Sequence, residues 1–158
     1  KMSKSLGNCI YLSDEPDVIK SKIMSMYTDT THIRKEDQGH TKGNPVFTYL
    51  EAFCNPEHFK EFMPDYKNLD ELKAHYERGG LGDVTVKKFL NNVMQKELEI
   101  IRERRKMWEQ RLPDVYDILY QGSMKAKTVA ANTLEEVKHS MKIDYFENKN
   151  LLSKKNER

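Results

Sequence analysis

The apolar residues of this chain recur at helical spacing along most of its length. Val18, Ile19, Ile23 and Met26 fall on one face of a helix, and a much longer run of the same period extends from Asp83 to about Arg111. The chain has no alternating pattern of strands and helices. The pattern therefore predicts an all-α fold, built as an antiparallel helical bundle.

Short polar signals divide this pattern into elements. Asn44-Pro45 and Asn55-Pro56 each combine a capping side chain with a proline suited to the first helical turn, and Asn68 opens a further helix. Ser13 to Pro16 gives a similar signal for a helix to about Tyr27. Residues 28–43 are polar and contain two glycines, so they are predicted to form a loop.

The second half of the chain is predicted to contain three helices. Gly79-Gly80 ends one helix before the long helix from Asp83, which Leu112-Pro113 breaks. A short helix over 114–120 is then closed by Gly122, and Ser123 caps the last helix. The apolar stripes of all these helices supply the predicted core: Leu50, Phe53, Leu90, Val93, Ile101, Val129, Ala130 and Val137.

Three further residues stand out on the long helix. Trp108 is predicted to lie in the core. Glu97 and Arg104 interrupt the apolar stripe, and such residues usually have a tertiary partner. The alternative is that they face a binding groove.

Composition places the chain among folded, soluble proteins. Hydrophobic residues make up 37% of its 158 positions and charged residues 33%. No apolar run approaches the roughly 18 residues of a membrane span, and the sequence begins without the apolar segment of a signal peptide. These features predict a cytoplasmic protein with no membrane contact. We expect a loop and short extended segment over 1–12, a helical domain over 13–146 and a polar, disordered tail over 147–158.

Charge is unevenly distributed along the chain. Residues 1–82 contain 11 Lys and Arg against 13 Asp and Glu, whereas residues 83–158 contain 16 against 12. The basic residues concentrate on the long helix, which suits a polyanionic partner. A solvated helix face is the alternative.

The two cysteines, Cys9 and Cys54, lack the spacing of a metal site. They are expected to be reduced and partly buried, and no metal site is predicted.

The first five residues, Lys1-Met2-Ser3-Lys4-Ser5, carry the main chemical signal. Two lysines flanked by hydroxyl groups, with Gly7 just after them, form a cationic segment that can contact a triphosphate. Chemistry alone leaves open whether this segment binds an anion or is simply a disordered end.

These five residues spell in full the KMSKS signature of class I aminoacyl-tRNA synthetases, and Leu6-Gly7-Asn8 is also common in that class. Further segments resemble the tryptophanyl-tRNA synthetase family in the same order along residues 1 to 142. They are Thr28-Asp29 with Ile33-Arg34, Gly43-Asn44 before Phe47, Tyr49 and Phe53, Tyr76-Glu77 with Gly80 and Gly82, Ile101 to Arg104, Leu119 to Gly122 and Lys125-Ala126. The Gly-Asn spacing is shorter than in the family's G-x-x-N stretch. Each later segment is weak alone, and their order carries the resemblance.

The resemblance implies an enzyme that activates tryptophan with ATP and Mg²⁺ to tryptophanyl-adenylate and then charges tRNA-Trp. Lys4 would be the catalytic residue that stabilises pyrophosphate, Lys1 would hold the triphosphate, and Met2, Ser3 and Ser5 would complete the ATP-binding loop. The helices would read the anticodon, and chemistry suggests five basic candidates for tRNA contact: Arg102, Arg105, Lys106, Lys125 and Lys127. The family is usually a homodimer.

One departure from the class concerns the nucleotide-binding fold. None of the five histidines, at positions 32, 40, 58, 75 and 139, lies in a HIGH-type motif. We therefore expect a C-terminal fragment whose tryptophan pocket belongs to an absent N-terminal half, and which is inactive alone.

Three alternatives stay open at this point. Another class I synthetase, above all the tyrosine enzyme, shares the signature. A non-catalytic helical RNA- or protein-binding module would make the signature accidental. A metal-dependent hydrolase has no ligand cluster to support it.

Overall fold

The structure is a computed structural model that describes residues 3–145, with the backbone alone at Lys4. Its chain forms two compact units that meet in sequence between Met107 and Trp108. The predicted tail over 147–158 lies outside the described residues. Within residues 3–145 there are helices and no strands, so the all-α prediction is confirmed. The predicted short extended segment at Cys9–Leu12 is a loop that ends in a turn.

A short 3-10 helix at Lys4–Leu6 precedes the α-helices. The α-helices are α1 (Pro16–Met24), α2 (Pro45–Phe53), α3 (Pro56–Phe62), α4 (Leu69–Arg78), α5 (Asp83–Glu109) and α6 (Leu112–Ser140).

Asparagine side chains set the starts of α2, α3 and α4. Asn44 accepts a hydrogen bond from the amide of Val46, Asn55 accepts from Glu57 and His58, and Asn68 accepts from Glu71. These bonds satisfy amide groups that have no partner inside the helix. The three predicted helix starts are therefore confirmed.

The core of the first unit lies between α1, α2, α3, α4 and the first half of α5. Leu50, Leu90 and Val93 are fully buried there, as predicted. The other buried apolar residues are Ile19, Ile23, Val46, Phe47, Phe59, Leu72, Tyr76, Leu81, Val86, Phe89, Met94 and Leu98.

Lys87 of α5 is also buried, and it anchors the end of α1. Its ammonium group donates to the backbone oxygens of Met24 (2.9 Å) and Met26 (2.7 Å). Burial lowers the pKa of this lysine, while the nearby Asp83 carboxylate opposes that shift. The lysine thus supplies hydrogen-bond donors to carbonyl groups at and just beyond the end of α1.

The loop over 28–43 is held against the end of α4 and the start of α5. Asp29 accepts hydrogen bonds from Thr31 and from both the amide and the ring of His40. The amide of Gly39 donates to the carbonyl of Tyr76 at 3.1 Å. A Cβ atom on Gly39 would lie 2.2 Å from the Tyr76 ring, so this close approach requires glycine.

Several core predictions are wrong. Phe53 ends α2 and is 42% exposed, lining an apolar groove of about 310 Å³ together with Leu12 and Leu98. Ile101 and Trp108 lie beyond the last buried turn of α5 and are exposed. Trp108 instead stacks under the guanidinium of Arg111 at 5.0 Å.

In the second unit, the prediction of two separate helices is wrong. Helix α6 is continuous through Gly122 and Ser123, where a break and a new start were predicted. An interior glycine weakens a helix by only about 1 kcal/mol, which the good helix formers on either side tolerate. The predicted core residues Val129, Ala130 and Val137 are exposed, because α6 buries none of its residues.

Candidate functional site

The signature segment, residues 1–8, comprises the KMSKS signature and the three residues after it. From Ser3, where the described residues begin, it folds back on itself up to Asn8. The amide of Ser3 donates to the side-chain oxygen of Asn8 at 3.0 Å, and the Ser3 hydroxyl lies 3.1 Å from that of Ser5. The amide of Leu6 points at both oxygens of Ser3 at 3.3 Å. Gly7 has a φ of +64° with no atom near a would-be Cβ, and this left-handed residue turns the chain toward Asn8.

The predicted site residues Lys1 and Met2 lie outside the described residues, as does the side chain of Lys4. The backbone of Lys4 begins the 3-10 helix, while Ser3 is half-buried and Ser5 is exposed. The structure thus brings the hydroxyl groups of Ser3 and Ser5 together, on either side of the Lys4 backbone.

A partly buried ion pair holds the chain that leaves this segment. Asp14 accepts hydrogen bonds from the Tyr11 amide at 2.8 Å and from the Lys22 ammonium group of α1 at 2.5 Å. Burial opposes ionisation of Asp14, but the Lys22 and Tyr11 hydrogen bonds outweigh it and lower the pKa of the carboxyl. Lys22 also lies 4.8 Å from the centre of the Tyr11 ring. The loop over 7–14 is therefore attached to α1.

A cavity of about 520 Å³ lies beside the signature segment. Asn8, Lys22, Tyr27 and Tyr49 are among the polar residues that line it. The remaining wall is formed by Ser25, Met26, Gly43 and Pro45. The end of the signature segment, the end of α1 and the start of α2 therefore form the walls of this cavity.

The basic candidates on α5 lie together. Arg102, Arg105 and Lys106 are three and four residues apart, so they share one side of the helix. Arg102 is half-buried and donates from Nη2 to the carbonyl of Gln95 at 3.1 Å, whereas the other two are exposed. This side of α5 therefore carries a cationic surface of two exposed side chains and one half-buried one, with Glu109 close to them on the same helix.

The basic candidates on α6 do not share a side. Lys125 and Lys127 are exposed but only two residues apart, which separates their directions by about 200° around the helix. A ligand that binds one side of α6 would therefore contact only one of these two lysines.

Two residues with a clear structural role at the signature segment were not predicted as site residues, Asn8 and Asp14. The sequence shows Asn8 only as part of Leu6-Gly7-Asn8, and Asp14 as part of a helix-start signal. The sequence signal available was the glycine before Asn8, which permits a tight return of the chain.

Residues 3–145 contain neither a cluster of metal-ligating side chains nor a helix that could span a membrane. Over that range, no group of three or more His, Cys, Asp or Glu side chains is arranged to hold a metal ion. None of the helices described there combines the length and apolarity needed to cross a membrane. Both cysteines are free thiols, and burial raises the pKa of Cys54 to about 11.

Comparison with known proteins places the sequence in a class. A family model for class I tRNA synthetases of the W and Y type matches residues 1–99. Because this match covers more than half of the chain, the chain belongs to the class I tRNA synthetase family of the W and Y enzymes.

Within that family, the relatives found are tryptophan–tRNA ligases. The chain is 57% identical to the ligase of Clostridium longisporum, with 94% of this chain and 41% of that protein covered. It is 51% identical to the ligase of Lactococcus lactis and 50% identical to that of Streptococcus pyogenes serotype M3, in each case over 92% of this chain and 41% of the relative. The chain therefore spans about 41% of the length of these relatives.

Solved structures agree with this assignment. A tryptophanyl-tRNA synthetase from Campylobacter jejuni matches 89% of this chain and 42% of its own, with a TM-score of 0.69 and 26% identity. The same enzyme complexed with ADP and tryptophan matches with a TM-score of 0.70 and 25% identity, over 89% of this chain and 40% of that one. The resemblance to tryptophanyl-tRNA synthetases inferred from the sequence is confirmed.

Proposed function

We propose that this chain is part of an enzyme that activates tryptophan with ATP and then transfers it to tRNA-Trp. The observation that carries the proposal is the complete KMSKS signature in a chain of the W and Y family whose relatives are tryptophan–tRNA ligases. In the first step a tryptophan carboxylate oxygen attacks the α-phosphorus of ATP, the bond to the bridging oxygen breaks, and pyrophosphate leaves. The adenylate then passes its aminoacyl group to the 3′ end of the tRNA.

The signature segment is proposed to bind the phosphates of ATP. Lys4 stabilises the negative charge that develops on the departing pyrophosphate, and Lys1 holds the triphosphate, with Met2 between them in the loop. The hydroxyl groups of Ser3 and Ser5, 3.1 Å apart, are proposed to shape the segment and to donate hydrogen bonds to phosphate oxygens. Residues 3–145 contain no cluster of three or more His, Cys, Asp or Glu side chains that could hold a metal ion, and ammonium groups do not bind cations, so we propose that Mg²⁺ arrives bound to ATP.

The long helix is proposed to contact tRNA. Arg102, Arg105 and Lys106 lie on one side of α5, and such a surface can follow a phosphate backbone. Lys125 and Lys127 remain proposed contacts on α6, each from a different side of that helix. As proposals for the whole enzyme, we add a homodimer, a cytoplasmic location, and a tryptophan pocket formed by residues other than those described.

The catalytic proposal is tested by Lys4→Ala in the ligase that contains this sequence. Tryptophan-dependent pyrophosphate exchange should fall by about 10²–10³, the usual effect of losing a charged contact that strengthens in the transition state. Lys20→Ala is the matched control, because Lys20 is an exposed lysine of α1 away from the segment, and it should leave the rate unchanged. An unchanged rate in Lys4→Ala would contradict the role of Lys4.

The choice of tryptophan over tyrosine is tested by RNA binding. This chain should bind a tRNA-Trp anticodon stem-loop more tightly than a tRNA-Tyr stem-loop, with affinity that weakens as salt rises. Equal binding of both would leave only a basic surface. Arg105→Ala should lower affinity for the tryptophan stem-loop and reduce its salt dependence, whereas Lys88→Ala, an exposed lysine near the start of α5, should do neither.

A further inference from the structure

Asn8, at the end of the signature segment, is bonded back to Ser3. Its side-chain oxygen accepts a hydrogen bond from the Ser3 amide at 3.0 Å, across five residues of chain. This is the contact that returns the chain after Gly7 to the residue in front of Lys4. The bond thus closes a loop from Ser3 to Asn8. This loop includes Lys4, the residue that is catalytic in the proposed function.

We propose that Asn8 is a positioning residue that holds the backbone turn carrying Lys4 during adenylate formation. This inference rests on the proposed function, because it concerns the same loop. Asn8 acts through the backbone, because its bond holds the Ser3 amide in place. The Ser3 hydroxyl can then accept a hydrogen bond from the Leu6 amide at 3.3 Å. That hydrogen bond stabilises the 3-10 helix at Lys4–Leu6. A lysine carried on a closed turn loses less conformational freedom when it meets the pyrophosphate than one on an open chain.

The surroundings of Asn8 favour this role over a purely structural one. Asn8 is exposed, so the core does not depend on its side chain. It also lines the cavity of about 520 Å³ beside the segment, with Lys22 and Tyr49 on the cavity walls. The Asp14–Lys22 ion pair then attaches the far end of the loop to α1, so that Asn8 closes the turn from an anchored position.

The test compares two variants of nearly the same shape in the ligase that contains this sequence. Asn8→Leu removes the acceptor oxygen, and Asn8→Asp keeps it. We expect Asn8→Leu to lower kcat for tryptophan-dependent pyrophosphate exchange by about tenfold to a hundredfold, the scale of a small misplacement of a catalytic group. The KM for tryptophan and the melting temperature should stay unchanged, and Asn8→Asp should recover most of the rate.

Two results would overturn the inference. One is a wild-type rate in Asn8→Leu, and the other is an equal loss in both variants, which would show that the acceptor is not what matters. Hydrogen exchange at the Ser3 amide provides a readout that is independent of activity, with faster exchange expected in Asn8→Leu alone. If the wild-type ligase forms no adenylate, the proposed function fails, while the exchange comparison still decides whether Asn8 closes the segment.

Discussion

The Nε2 atom of His58 lies 3.2 Å from a carboxylate oxygen of Glu97, which joins α3 to the middle of α5. The other ring nitrogen of His58 accepts a hydrogen bond from the Asn55 amide at 3.2 Å. Because that nitrogen accepts, the proton of the neutral ring is on Nε2, the nitrogen in contact with Glu97. One buried imidazole therefore both caps its own helix and joins it to a second one.

Replacing Glu97 with alanine should destabilise the fold. The substitution leaves the Nε2 proton of a ring that is 1% exposed without its carboxylate partner. A buried donor that loses its partner costs about 1–3 kcal/mol. Chemical denaturation followed by far-UV circular dichroism measures this difference. Glu103→Ala, which removes an exposed carboxylate further along the same helix, is the control and should change stability little.

Replacing Lys87 with methionine should destabilise the fold as well. The variant keeps the length of the side chain but leaves the Met24 and Met26 carbonyls without their donor, at an expected cost of about 1–3 kcal/mol. Lys88→Met changes the next residue, which is exposed, and should be close to neutral. Equal stability of the two variants would show that the buried ammonium group contributes nothing to the end of α1.

Stability should fall at alkaline pH through Tyr76. Burial, and then its hydrogen bond to Asp83 at 2.6 Å, raises the pKa of this fully buried phenol. A phenol whose pKa is raised by folding stabilises the protein below its unfolded pKa of about 10, and that contribution is lost as pH rises above it. Urea denaturation at pH 8 and pH 11 should therefore show a smaller pH dependence in Tyr76→Phe than in the parent. An identical dependence in both would contradict the assignment.

Two glycine substitutions should act in opposite directions. Gly39→Ala places a methyl group 2.2 Å from the Tyr76 ring, and overpacking of this kind costs about 1–3 kcal/mol. Gly122→Ala adds a methyl group with no atom within 4 Å inside α6, so it should stabilise that helix by about 0.5–1 kcal/mol. Thermal melts of the two variants beside the parent test both signs, and destabilisation by Gly122→Ala would contradict the continuous helix.

The sequence predicted the helix starts well because those signals are local. An asparagine at position 44, 55 or 68 needs only the next three residues to cap a helix. It also anticipated a tertiary partner for Glu97, which the His58 contact confirms. The break at Gly122 was predicted wrongly, because one glycine is a weak signal against a run of good helix formers.

Core membership was predicted less well, since periodicity identifies a helix face without showing what covers it. Val129 and Val137 lie on an apolar stripe, but α6 buries no residue. Leu90 and Val93 lie on a similar stripe of α5 and are fully buried, because α1 to α4 pack around that part of the helix. For the site, the sequence named the signature residues. The glycine at position 7 permits the turn from which Asn8 bonds back to Ser3, but a glycine alone does not show which groups the turn brings together.

The long α5 helix has a consequence for where its basic residues point. Its buried residues end at Leu98, and Arg102, Arg105 and Lys106 follow on the same unbroken helix. Packing of the first half therefore fixes the rotational phase of the second half, at about 100° per residue. Inserting one residue between Leu98 and Arg102 would leave every core contact in place, yet turn the cationic surface by roughly a quarter of the circumference. The core thus sets the direction of a surface to which it contributes no side chain.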